Sequence, residues 1–231
     1  MGERDYTKRS LQRSNGVDEN FLSDVIHKIK NGLGGIGGFA ALLERDLETN
    51  DPRQRLVHRI QDGVNKVNEV VVNLMTLVRD IEPRFKKVKL QSLLKEMLKD
   101  SWEGEKSIPE ISYHPNLKDV KVELWGDPQV IRKMLSHAIR FTDLVKGKIE
   151  VIRVSPHTKK KVNVEFCFLN GTLPKDTSQN IVKLMNDCQP IEARLLLAIV
   201  LKMVTLHGGR VSIVSYTKNQ KALTIQLPRG N

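Results

Sequence analysis

Five glycines in seven residues, Gly32, Gly34, Gly35, Gly37 and Gly38, fall inside a stretch whose apolar residues keep helical spacing. Phe21, Val25, Ile29, Leu33, Ile36, Ala40, Leu43 and Leu47 recur at three- and four-residue steps, the stripe of an amphipathic helix. Each glycine costs roughly 1 kcal/mol in a helix interior relative to alanine. Such a run persists only where packing or function offsets it, for instance by letting another backbone approach closely. Immediately before it, His27-Lys28-Ile29-Lys30-Asn31 places His27 off the stripe, its ring toward solvent or a docking partner. Asn31 follows four residues on, one turn above the histidine on the same face.

Thr49-Asn50-Asp51-Pro52 breaks this helix, with Asn50 or Asp51 suited to cap a new one and Pro52 to its first turn. Leu56, Ile60, Val64, Val67, Val71, Leu74 and Val78 then mark a second helix that runs to about Asp80 and stops before Pro83. Two long helices joined by a short turn make an antiparallel hairpin over residues 21–82. One hairpin cannot bury both stripes. Two hairpins can, as a four-helix bundle, so the sequence predicts a two-fold homodimer. A purely structural coiled-coil dimer would explain both stripes but not the glycines beside His27.

Residues 1–20 read as a polar, flexible lead-in, without room for membrane or sensory modules, so any signal is expected to arrive from another molecule. No apolar run approaches the ~20 residues that span a bilayer. Cys167 and Cys188 lack metal-ligand spacing, so the expectation is a reduced, cytoplasmic protein with no bound metal. The net charge of +11 implies an acidic partner. Nucleic acid satisfies that on charge alone, but no reading helix, zinc site or stacking aromatics support it. An acidic protein surface satisfies it as well.

Residues 83–89 read as a short basic linker, and residues 90–231 as a second domain of alternating helices and strands. Helices are predicted over Leu90–Asp100, Pro128–Thr142 and Pro190–Leu206, the last ended by His207-Gly208-Gly209. Strands are predicted over Ile111–Tyr113, Lys121–Leu124, Lys148–Val154, Val162–Leu169, Arg210–Tyr216 and Ala222–Leu227. Three helices on one face of a mixed sheet form an α/β sandwich, and the whole chain is of the α+β class.

Several of these stretches resemble sensor histidine kinases. His27 to Asn31, with Gly32-Leu33-Gly34-Gly35-Ile36 and the residues up to Asp46, is similar to the phosphoacceptor box of the nitrogen-regulation-type subgroup. Lys28 stands where that box has an acidic residue and Gly32 where it has proline. Leu124-Trp125-Gly126-Asp127, the segment Leu135 to Thr142, the segment Ala198 to Gly209, and Leu227-Pro228 resemble the family's ATPase domain. The resemblance implies that His27 is a phosphoacceptor with Lys28 and Asn31 beside it.

It also exposes what is missing from the nucleotide site. The box asparagines that hold magnesium and phosphates correspond here to Lys133 and His137, and an ammonium cannot ligate Mg²⁺. The first glycine box reads Leu169-Asn170-Gly171-Thr172-Leu173-Pro174, with Leu169 where the adenine-reading aspartate is due. The second reads Glu192-Ala193-Arg194-Leu195-Leu196, where Glu192 would repel phosphate and Leu196 would crowd it. A remote escape has Lys133 replacing the metal charge and Arg194 gripping phosphate.

No cofactor is therefore expected, and three functions follow in order. The first is a phosphorelay protein that takes a phosphoryl group on His27 from one receiver domain and passes it to another. The second is an inactive pseudokinase that sequesters receivers or pairs with a true histidine kinase, with the basic clusters 84–89 and 159–161 as docking or solvated faces. An active kinase with divergent boxes ranks last.

Overall fold

The computed structural model describes residues 19–48, 50–101, 109–117, 122–169, 171–173, 181–217 and 219–230. Most of the expected lead-in, residues 1–18, lies outside these, as do Lys121, Asn170 and Pro174 of the predicted strand and box. The chain divides into two compact units at Asp80–Ile81.

The first unit is a hairpin of α1 (Glu19–Asp46) and α2 (Gln54–Val78). Its apolar residues sort into rows seven apart. Ile26 and Ala40 on α1 are 3% and 5% exposed, and Val57 and Val71 on α2 are 1% and 4% exposed. Leu33 and Val64 continue these rows half-buried. A second pair of rows stays open. Ile29, Ile36 and Leu43 on α1, with Ile60, Val67 and Leu74 on α2, are each 40–50% exposed.

The single stripe expected on α1 therefore splits into an inner and an outer row. Residues three or four apart lie on neighbouring rather than identical faces, and a seven-residue repeat holds each row nearly straight. Ile26, outside the expected stripe, belongs to the core of the hairpin, and Phe21 at 61% exposure does not. The start of α2 also differs from expectation. The Asp51 carboxylate accepts from the Arg53 backbone N–H and guanidinium, while Arg53 stands at the N-cap with no side-chain cap bond.

The second unit packs helices against one sheet. Its elements are β1 (Lys86–Lys89), α3 (Leu90–Ser101), β2 (Glu110–Tyr113), a 3₁₀ turn (Pro115–Leu117), β3 (Glu123–Gly126), α4 (Pro128–Leu144), β4 (Lys148–Thr158), β5 (Lys161–Leu169), α5 (Ile181–Asp187), α6 (Ile191–Leu206), β6 (Arg210–Ser215) and β7 (Gln220–Pro228). Five strands form a mixed sheet in the order β2-β4-β5-β7-β6, with only β2 and β4 parallel. Ile152 and Val154 of β4, Phe166 and Phe168 of β5 and Leu223 and Ile225 of β7 are buried, as are Met134, Leu135 and Phe141 of α4 and Leu197 and Val200 of α6. Each such side chain contributes roughly 1.5–3 kcal/mol of burial.

Three features depart from the sequence reading. Half of the expected linker is strand β1, which pairs antiparallel with β3 in a separate two-stranded sheet. Only Val88 of Lys86–Lys89 is buried, so one apolar residue among lysines carries the strand. Arg229 bridges Leu124, and Gly230 N–H donates to the Glu123 carbonyl at 2.8 Å, so the end of the unit lies along the same β3. Finally, α5 is a short helix between the predicted β5 and α6 that the sequence reading left without structure.

Gly208 and Gly209 end α6 for two different reasons. Gly208 takes a positive φ of 66°, where a side chain would be strained. A Cβ on Gly209 would lie 2.3 Å from the Gln226 carbonyl oxygen, so the chain can turn from α6 onto the sheet only without one.

Candidate functional site

His27, Lys28 and Asn31 are all exposed on α1, two of them one helical turn apart as the spacing predicts. Among the described residues His27 has no hydrogen bond or ion pair, so nothing within the hairpin orients or occupies its ring. Gly34 and Gly38 continue the same face. A Cβ built on Gly32, Gly34, Gly35 or Gly38 would meet nothing within 4 Å, and one on Gly37 would make ordinary contact with Val64 at 3.6 Å. Packing inside the hairpin thus requires none of the five glycines. What they provide is a surface beside His27 from which side chains are missing.

The positions set against the nucleotide boxes lie on three elements of the second unit. Lys133 is exposed on α4. His137, one turn on, is 7% exposed with neither ring nitrogen hydrogen-bonded. Burial, reinforced by the like charges of Lys133 and Arg140, pushes its pKa down to about 4, so the ring is neutral near pH 7. A neutral imidazole flanked by cations is a poor substitute for the oxygen ligands that Mg²⁺ demands.

Leu169 closes β5, and residues 172 and 173 beyond it are held by two sets of hydrogen bonds. Thr172 donates through both its N–H and its hydroxyl to the Val145 carbonyl, at 2.7 and 3.0 Å. The Lys221 ammonium donates to the Leu173 carbonyl at 3.1 Å. Lys221 is 9% exposed, and burial lowers its pKa. The sequence reading missed Lys221. A lone lysine at the start of a strand carries no signal that it will fold inward onto a loop 48 residues away.

At the start of α6, Glu192 is exposed in the first turn and Leu196 is 1% exposed. Glu192 sets the chain's own carboxylate at the positive helix end, the place where an anionic ligand would otherwise be favoured. The Arg194 Nε donates to the Cys188 carbonyl at 2.7 Å, so its guanidinium is held by backbone. Among the described residues no group of three or more His, Cys, Asp and Glu side chains converges as a metal site. None of the described helices is long and apolar enough to cross a membrane.

Comparison with known proteins agrees with this geometry at the level of fold and of one segment. Residues 18–82, which contain both helices of the hairpin, match the His Kinase A (phospho-acceptor) domain family. The chain is 24% identical over 238 residues to the signal transduction histidine-protein kinase BarA of Escherichia coli strain K12, covering 92% of this chain and 25% of BarA. It is 26% identical over 131 residues to the sensor protein kinase PilS of Pseudomonas aeruginosa, covering 55% of this chain and 24% of PilS. It thus spans about a quarter of the length of these curated relatives. Full-length ShkA in complex with AMPPNP superposes with a TM-score of 0.72 at 18% identity, over 93% of this chain and 47% of that one. The histidine kinase ThkA in complex with the response regulator protein TrrA superposes with a TM-score of 0.61 at 17% identity, over 99% and 65% of the two chains. The chain is an α+β protein in which a helical hairpin precedes an α/β domain of the histidine kinase catalytic fold.

Proposed function

We propose that this histidine-kinase-like chain works in two-component signalling as a phosphorelay protein. His27 takes a phosphoryl group from the aspartyl phosphate of one receiver domain and passes it to another, without autophosphorylation by ATP. The observation that carries the reading is the contrast between the two units. His27 is exposed and unengaged within the segment matching phosphoacceptor domains, whereas buried His137 and Leu196 stand at positions that the resemblance sets against the nucleotide boxes, and Leu173 of the first box is bonded by Lys221.

The chemistry asks little of the second unit. The lone pair of the unprotonated His27 nitrogen attacks phosphorus as the bond to the aspartyl oxygen breaks, and the ring then sheds its remaining N–H proton. Transfer of this kind rests on positioning and on stabilising charge spread over the phosphoryl oxygens. Lys28 offers positive charge beside that group, Asn31 a donor one turn away, and the glycine face allows close approach of a receiver backbone. The outer rows Ile29-Ile36-Leu43 and Ile60-Val67-Leu74 support a homodimer in which a second hairpin covers them. The two free cysteines suit a reducing, cytoplasmic setting.

The test is a panel of phosphorylated receiver domains mixed with the full chain while label on the chain is followed. The expected result is label that His27→Ala abolishes while dimerisation and receiver binding persist. The pseudokinase reading, in which the chain holds receivers or a partner histidine kinase without transfer, has its own support. Lys28 replaces the carboxylate that would orient His27 and accept its proton. Tight binding of a receiver by wild type and by His27→Ala alike, with no label on either, would establish that reading instead.

A further inference from the structure

Strand β1 is bonded along one side only. The Leu90 N–H donates to the Val122 carbonyl at 2.9 Å, one step beyond the pairs that run from Lys86–Gly126 to Lys89–Glu123. In an antiparallel ladder bonded and non-bonded pairs alternate. Lys86 and Val88 therefore share the phase of Leu90 and bond to β3, while Lys87 and Lys89 turn their N–H and C=O groups the other way. The far side of β3 agrees, since Glu123, of the opposite phase, accepts from the Gly230 N–H at 2.8 Å. Among the described residues no strand lies along the outer side of β1, and Lys87 and Lys89 are exposed. Two donors and two acceptors thus stand in a row at an open edge.

The same register sorts the side chains onto two faces. Lys87 and Lys89 stand with Trp125 and Glu123 on the outer one, where Trp125 is 46% exposed. Val88 lies with Leu124 on the buried one. Glu123, the only acid of the two strands, reaches the Lys87 ammonium at 4.0 Å, against three lysines in β1. The imbalance extends to the whole unit. Residues 81–231 hold 26 Lys and Arg against 15 Asp and Glu, which is all of the chain's net charge. Lysines on a short edge strand guard it against pairing with its own kind. A second copy of β1 would set lysine directly across from lysine, which is destabilising. A guard of one sign is selective, because it admits a strand of the other.

We infer that the open edge of β1 takes up an extended acidic segment of a partner protein as an added antiparallel strand. Lys87 and Lys89 exchange backbone hydrogen bonds with two of its residues, whose carboxylates meet the lysine side chains on the outer face. The residue between those two falls beside Val88 and is apolar, so the segment alternates acidic and apolar residues. A nucleic acid would satisfy the lysines but set phosphates against the Lys87 and Lys89 carbonyls. The edge lies within the second unit and works whether or not His27 carries phosphate.

The experiment titrates the full chain into a fluorescein-labelled, end-capped heptapeptide of alternating glutamate and valine, followed by anisotropy. Saturable binding is expected, with amide hydrogen exchange slowed at Lys87 and Lys89. N-methylation of the glutamates keeps the charge but blocks the side that faces β1, and should weaken binding tenfold or more. N-methylation of the valines, whose N–H groups point away from β1, should be tolerated. Lys89→Glu, at an exposed position, should weaken binding about tenfold. The inference is overturned if the peptide does not saturate by about 1 mM chain, if both methylated peptides bind like the parent, or if exchange at Lys87 and Lys89 is unchanged in the complex. It is equally overturned if an eight-residue oligothymidylate binds more tightly than the peptide, which would make the lysines a nucleic-acid surface.

Discussion

Lys221, near the start of the last strand, donates from its ammonium to the carbonyl of Leu173, two residues past a glycine whose own neighbourhood admits no side chain. The missing side chain there would belong to Asn170's neighbour Gly171, whose Cβ would lie 2.7 Å from the Phe168 ring. Residues 171–173 are thereby held by contacts within the second unit. Titration of the full chain with ATP, with or without Mg²⁺, is expected to give no saturable heat. Lys221→Ala should not restore binding, since Lys133, His137 and Leu196 are unchanged. Micromolar ATP binding by wild type would move an active kinase to the front.

The two sets of rows on the hairpin predict different failures. Leu74→Asp places a carboxylate at a position 40% exposed in the single chain, so the hairpin should stay helical while the dimer dissociates. Val71→Asp buries the charge between the helices and should lower helicity itself, at a cost of several kcal/mol. Light scattering reads the first and circular dichroism the second. A Leu74→Asp protein that remains dimeric would place the interface elsewhere.

His137 predicts an acid sensitivity with a definite sign. Its pKa falls from 6.5 when unfolded to about 4 in the native chain. Below pH 6.5 the unfolded chain therefore binds a proton that the native one refuses, and stability is lost as pH drops from about 6.5 toward 4. The loss should be on the order of 2–3 kcal/mol. His137→Leu should remove this component, leaving only the carboxylate contribution. Urea melts at pH 7 and pH 4.5 measure it, and equal pH dependence in both proteins would refute it.

Asp127 joins three pieces of backbone. Its carboxylate accepts from Gln129 and Val130 at the start of α4 and from the N–H of Arg84. Its own N–H donates to His207 Nε2 at 3.1 Å, while Phe85 packs on the His207 ring with centroids 5.2 Å apart. Asp127→Ala should cost about 1–2 kcal/mol in the unfolding of the second unit. Asp127→Asn keeps an acceptor and should cost less. An alanine variant as stable as wild type would mean that solvent serves these groups equally well.

What could be read from the sequence was what periodicity records. Helical spacing located both hairpin helices, and alternation located the long strands of the sheet, because those patterns follow from one face being buried. Spacing could not separate Ile26 from Ile29, since both lie within one broad apolar arc and only the neighbouring helix decides which is covered. Lys86–Lys89 passed as a linker because its single buried residue, Val88, makes no pattern. The inward turn of Lys221 was invisible for a related reason. It depends on the last strand meeting Leu173, 48 residues away, and leaves no local trace.

Strand β3 carries a last consequence. Lys86–Lys89 lies along it, and Arg229 and Gly230 touch it as well. The polypeptide therefore enters and leaves the second unit at one seam. A unit closed in this way tolerates being grafted between two points of another chain, or reopened elsewhere with its old ends joined, because neither operation asks the backbone to cross the sheet. Circular permutation that links residue 230 to residue 84 through a short glycine-rich bridge, with new ends at the β4–β5 turn, should preserve the fold.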